Sequence, residues 1–178
     1  MRSMIGGLPL ADLPDAPDPD WPRYSSRAFP PYRFVPGRSP HPRNDPKGHM
    51  FDQPEPEIVA LPPERWREDS SYRYGIDLFN FAYWWECHEV LEGIWNALGR
   101  KTQQGLYYQG IIQVAAGHLK RFIGVLEPAT KLASRGLSKL DGLPKVYMGV
   151  HVPRFRRDTI DYFEGRREVP VLIALAVE

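Results

Sequence analysis

Residues 84–95 read WWECHEVLEGIW, with three tryptophans, one histidine and three glutamates in twelve positions. At about 100° per residue, Trp85, His88, Glu92 and Trp95 stand at i, i+3, i+7 and i+10 and share one helix face. Trp84 and Leu91 flank that face, and Cys87, Val90 and Ile94 widen the apolar arc. Glu86, Glu89 and Gly93 gather on the other side. If the tryptophans mark the interior, Glu86 and Glu89 reach water and Glu92 does not. A buried carboxylate needs a partner, and His88 is one turn away. The stretch therefore predicts a helix with a buried His88–Glu92 pair that fixes how it packs. The spacing is not the H-E-x-x-H of zinc proteases, because position 92 is Glu. Nor is it the E-x-x-H of di-iron bundles, because position 85 is Trp. Cys87 points about 100° away from His88, which suits a small buried thiol better than a nucleophile pair.

Helical signals surround this stretch. Asp69-Ser70-Ser71 can cap a first helix over about 72–80. The WWECHEVLEGIW helix should run over about 83–98 and stop at Gly99, with Arg100 and Lys101 suited to its C-terminal dipole. Thr102 can cap a third helix that ends near Leu126, and Pro128 can open a fourth that ends near Leu140. Asp141-Gly142-Leu143-Pro144 reads as a turn, and Pro153 suits the first turn of a last helix ending near Gly165. The expected fold is all-α, a small up-and-down bundle of four to five helices with a long proline-rich extended N-terminal arm.

Fifteen of the nineteen prolines lie in residues 1–63, where lost donors and restricted geometry leave almost no regular structure to be expected. The chain divides into a disordered N-terminus at 1–27, an arm at 28–68 packing on the bundle, the bundle at 69–165 and an apolar tail at 166–178. Phe29, Tyr32, Phe34 and Val35 would hold the arm against the core. The tail segment VPVLIALAV, 169–177, begins β-friendly. It would pack extended, form a short helix, or pair across a dimer.

Composition excludes several functions. Twenty-three basic and 22 acidic side chains leave a formal charge of +1, against a broad nucleic-acid surface or adhesion to an anionic membrane. A single cysteine forms no intrachain disulfide. The start of the chain holds no signal-peptide core, and no run of about 18 apolar residues suggests a membrane span. A cytoplasmic protein is the expectation, with a homodimer or a protein partner as the interaction.

The third helix, within TQQGLYYQGIIQVAAGHLKRFIGVL at 102–126, is apolar over most of its circumference and should be central. Gln109 and Gln113 share a face with Gly105, Ala116 and Gly117, where another helix or a ligand can approach closely. His118 lies nearly opposite and cannot share a pocket with them on a straight helix.

These helices carry a longer pattern. Phe79-Asn80-x-x-x-Trp84-x-Glu86-x-His88-Glu89-x-Leu91-Glu92-x-x-Trp95, then Gln109-Gly110-x-Ile112-Gln113-x-Ala115-Ala116-x-His118, resembles the domain-of-unknown-function family 309. The resemblance covers about 70–126 and, more loosely, the chain to about 164. It implies a small helical bundle and no assigned activity. Its signature polar residues fall on Glu86, His88, Glu89, Glu92, Gln109 and Gln113, with His118 as the later histidine. Ala82 stands where the family often has glycine, and Cys87 where alanine is usual.

Two functions follow. The first is a helical interaction or scaffolding module with a buried His–Glu cluster, packed tightly and without an open cavity at His88. The second is a small-molecule hydrolase, metal-dependent or not, with His88, Glu89 and Glu92 as catalytic candidates and Glu86, Gln109, Gln113 and His118 as ligand-binding candidates. No cofactor is expected. Should a divalent metal bind, His88 and Glu92 would hold it with His41, Asp45 and His49 from the arm. Those three stand four residues apart, but Pro42 and Pro46 forbid a regular helix there. The incomplete catalytic set favours the module.

Overall fold

The computed structural model describes residues 13–176, together with the backbone of two short paired strands, β1 (Met4–Ile5) and β2 (Leu8–Pro9). Five helices carry the fold: α1 (Ser70–Asn80), α2 (Trp84–Leu98), α3 (Gln103–Phe122), α4 (Leu126–Ser138) and α5 (Val152–Phe163). The hairpin β3 (Val146–Tyr147) and β4 (Val150–His151) leads into α5. The bundle is all-α as expected, and among the described residues no helix is long and apolar enough to cross a membrane.

Local chemistry sets the helix ends. Asp69 accepts from the Tyr72 N–H at 2.8 Å, and Thr102 Oγ1 from the Gly105 N–H at 2.9 Å. His151 Nδ1 caps α5 on Arg154 N–H at 3.2 Å, with Pro153 in the first turn. α1 ends in a Schellman motif: Tyr83 N–H reaches Leu78 O at 2.9 Å and Ala82 N–H reaches Phe79 O at 3.3 Å. Ala82 takes φ of +64°, the left-handed geometry that glycine adopts without strain, so an alanine here leaves the turn sharp.

The core forms where α1, α2 and α3 meet. α2 buries Trp84, Cys87, Leu91 and Ile94, while α3 buries Tyr107, Tyr108, Ile111 and Val114. Tyr72 donates to the Met148 carbonyl at 2.9 Å and accepts from Tyr107 at 2.7 Å, so both buried hydroxyls are paired. α3 meets α4 through glycines: a Cβ on Gly110 would lie 2.8 Å from the Gly136 carbonyl oxygen. The small-residue face of α3 thus receives a helix.

Around this bundle the rest of the chain runs extended, tied on by side chains. Of the N-terminus expected to be disordered, 1–27, residues 1–3, 6, 7 and 10–12 lie outside the described residues, while residues 23–25 are anchored. Buried Asp77 accepts from Arg23 Nε at 2.9 Å, Tyr24 N–H at 2.7 Å and Ser25 N–H at 2.9 Å. Tyr74 then binds Ala28 O at 3.0 Å, Tyr83 binds Pro30 O at 3.2 Å, and Arg33 binds Phe81 O at 2.7 Å. A proline-rich segment has no ladder to join, so the bundle's polar side chains satisfy its backbone.

Candidate functional site

The arm crosses the Glu86/Glu89/Gly93 face of α2 and reverses the expected roles of its glutamates. Glu86, expected to reach water, is 3 % exposed, while Glu92, expected to be buried, is 38 % exposed. The tryptophans were misleading markers. α2 turns Trp84, Cys87, Leu91 and Ile94 to the core, and Trp85 and Trp95 lie half-buried at its margin. A large ring is often only partly covered. Trp85 stacks edge-on to Phe34 and His41, and Trp95 lies under the Arg100 guanidinium.

The buried His–Glu pair of the protein is His49–Glu86. His49 Nε2 lies 3.1 Å from Glu86 Oε1, which also accepts from the Phe34 N–H at 2.8 Å. The His49 ring is 6 % exposed and packs edge-on against Tyr32. Among the described residues Glu86 Oε2 has no hydrogen-bond partner. Each buried carboxylate oxygen away from water demands a donor.

His88, Glu89 and Glu92 form a second, outer cluster. His88 Nδ1 stands 3.6 Å from Glu89 Oε1, and Nε2 stands 3.4 Å from Glu92 Oε2. The imidazole, 31 % exposed, thus lies between two carboxylates at ion-pair rather than hydrogen-bond distance. Arg43 of the arm closes on the other Glu89 oxygen at 3.1 Å. One donor atom from each of the three lies within 4.8 Å of the others, a spacing that a metal ion could bridge.

Between arm and α2 lies a cavity of about 630 Å³. Its wall includes Glu86, Glu89, Glu92, His49 and Arg43, with Phe29, Tyr74 and Ile58 as apolar surface. Gly93 contributes by lacking a side chain, since a Cβ there would meet Ile58 Cδ1 at 2.4 Å. Five carboxylates line the space (Glu55, Glu57, Glu86, Glu89, Glu92) against two guanidinium groups, Arg27 and Arg43. Arg27 stacks over Tyr74 at 4.4 Å, and Arg43 is paired to Glu89.

The other candidates lie elsewhere. His41 Nδ1 accepts from the Arg43 and Asn44 N–H groups, each at 3.3 Å, and Asp45 Oδ1 accepts from Lys47 N–H at 2.8 Å. With His49 on Glu86, the arm trio does not converge with His88 and Glu92 on one point. His41 and Asp45 each serve their own turn, and His49 serves Glu86. Gln113 flanks the α3–α4 contact, its Cβ 3.0 Å from where a Gly136 Cβ would stand. Gln109 and Gln113 are absent from the cavity wall. His118 is fully buried: Nδ1–H donates to Val114 O at 2.9 Å and Nε2 accepts from Val171 N–H at 3.2 Å. Burial lowers its pKa to about 4. It is a neutral core histidine. Buried Cys87 has its pKa raised by desolvation, which makes it an inert thiol.

Sequence reasoning missed Asp77 and Asn80 as anchoring groups. Their signal was present: two short polar residues among the apolar positions of α1, beside extended segments with unspent backbone donors.

Residues 72–132 match a family model described as Domain of unknown function (DUF309). The matched span holds most of α1, all of α2 and α3 and the first half of α4, so the resemblance read from the helical motifs stands. No curated protein matches the chain.

Proposed function

We propose that this protein is a binding module whose ligand is a small organic cation held between the proline-rich arm and α2. One observation carries the reading. Glu86, buried in the wall of a 630 Å³ cavity, commits one oxygen to Phe34 and His49 and leaves the other without a donor. A ligand ammonium or guanidinium group supplies the missing donor and the missing charge. Five carboxylates stand against two guanidinium groups, Arg27 stacked on Tyr74 and Arg43 paired with Glu89, which leaves an excess of negative charge in the space. Phe29 and Tyr74 offer an aliphatic ligand apolar contact, and the volume lies in the range of small-molecule sites. A cavity on this face is also what a purely scaffolding module, closed by tight packing, does not need.

The test is calorimetric titration with aliphatic diamines and guanidinium compounds, with dicarboxylates as controls. Glu86→Gln keeps the acceptor for Phe34 and His49 but removes the charge. Binding of the cations alone, weakened at least tenfold in Glu86→Gln with the fold intact, supports the reading. Equal binding by the variant, or no cation bound at all, overturns it.

A metal-dependent reading has its own support in the His88, Glu89 and Glu92 donors within 4.8 Å of one another. One imidazole and two carboxylates suit a divalent ion such as zinc or manganese, which would activate a water for hydrolysis. Elemental analysis of untagged protein purified without chelators decides it. About one equivalent of metal, lost in His88→Ala, establishes the site, and metal-free protein that takes up none on dialysis removes it.

A further inference from the structure

We infer that the bundle carries a groove that binds an extended peptide, and that residues 171–175 of this chain occupy it as a separable ligand. The inference is independent of the arm–α2 cavity. The tail alternates: Val171, Ile173 and Leu175 are buried, Leu172 is half-buried, and Ala174 and Ala176 are exposed. That is the period of a strand, yet among the described residues no neighbouring strand runs its length. Side chains supply the hydrogen bonds a strand would. His118 Nε2 accepts from Val171 N–H at 3.2 Å. Asn80 Oδ1 accepts from Ile173 N–H at 2.7 Å, and its Nδ2 donates to Ile173 O at 2.8 Å. The Tyr24 hydroxyl accepts from Leu175 N–H at 3.1 Å. The last contact is backbone, Ala176 N–H to Gly149 O at 2.8 Å, beside the bridge from Val150 to Leu175.

Every second residue is thus read at its main chain, and only apolar shape is read at its side chain. Recognition of this form selects an extended peptide with apolar residues at alternate positions. Two of the reading side chains, Asn80 and His118, lie inside the family-matched span 72–132, and the tail lies outside it. The groove is thus built on α1 and α3, with Tyr24 and Gly149 completing it from outside that span. α5 ends at Phe163, so residues 164–170 tether the tail. This connection is itself fixed to α5, with the Arg166 and Arg167 N–H groups on the Asp161 carbonyl, so it delivers the tail to the groove in cis.

The experiment uses the full chain with a protease site inserted between Gly165 and Arg166, cut after folding. The cut tail is expected to co-elute with the bundle at micromolar concentration and to be displaced saturably by a fluorescent peptide of residues 168–176. The uncut protein should take up none. A peptide N-methylated at the Ile173 amide loses the donor to Asn80 without any change to the protein, and should bind at least tenfold more weakly. Two outcomes overturn the inference. Loss of helical circular dichroism on cutting would make the tail an inseparable part of the core. Retained helicity without peptide uptake, or equal uptake of the methylated peptide, would leave no peptide site.

Discussion

The Asn80 amide meets the Ile173 peptide group face on, accepting its N–H at 2.7 Å and donating to its carbonyl at 2.8 Å, with both residues buried. One side chain on α1 thereby completes the hydrogen bonds of a residue 93 positions away. Asn80→Ala strands a buried donor and a buried acceptor at once. The expected cost is about 2–4 kcal/mol, from roughly 1–2 kcal/mol for each orphaned group. Urea denaturation followed by tryptophan fluorescence checks it, and a loss below about 1 kcal/mol would show that water reaches Ile173.

His118 makes stability depend on acid. The unfolded histidine takes up a proton near 6.5, while the native one does so only near 4, because burial among Phe79, Trp84, Tyr162 and Phe163 disfavours the cation. Arg121 and Arg167 add to the effect. The unfolded state then binds the extra proton between these values. Its stabilising contribution is complete above pH 6.5 and is lost as pH falls toward 4, by roughly 3 kcal/mol in all. Denaturation midpoints at half-unit pH steps should fall over this window, and His118→Gln should flatten the decline. An unchanged slope would assign it to carboxylates instead.

Ala82 holds a left-handed backbone at φ of +64° in the turn between α1 and α2. An L-residue there costs about 1–2 kcal/mol that glycine avoids, offset partly by glycine's greater freedom when unfolded. Ala82→Gly is expected to raise stability by about 0.5–1 kcal/mol and the melting temperature by a few degrees. Differential scanning calorimetry checks the sign.

Asp77 secures the N-terminal strap through Arg23 and the Tyr24 and Ser25 amides. Asp77→Ala removes all three acceptor contacts and should release residues 13–27 before the bundle unfolds. Brief trypsin digestion should then cut after Arg27 many-fold faster than in the parent, leaving a helical remainder. Equal cutting rates would place the strap's attachment in its aromatic contacts.

Helix placement was legible in the sequence because it depends on neighbours. Asp69, Thr102, Gly99 and Pro153 act within one turn of where they stand, and the apolar period of α3 identifies its central place. Glu86 and Glu92 show where this legibility ends. Their faces on α2 were assigned correctly, but which face is buried depends on the arm, some 50 residues earlier, and nothing local to α2 encodes its path. The same holds for His88, read as a buried partner and found half-exposed, and for His49, named as a ligand only should a metal bind and found paired with Glu86.

The sequence by itself determined the five helices, the Asp69 and Thr102 caps and the bundle they form, since periodicity and capping are short-range. It ran the third helix to Leu126, where the chain turns at Gly124 and α4 already begins. Only the tertiary structure decided which polar residues are interior. Asp77, Asn80, Glu86 and His118 each bind a backbone segment from a distant part of the chain. An extended strap or tail has no hydrogen-bond pattern of its own, so the bundle must supply one, and it does so with side chains whose partners exist only once the chain has closed on itself.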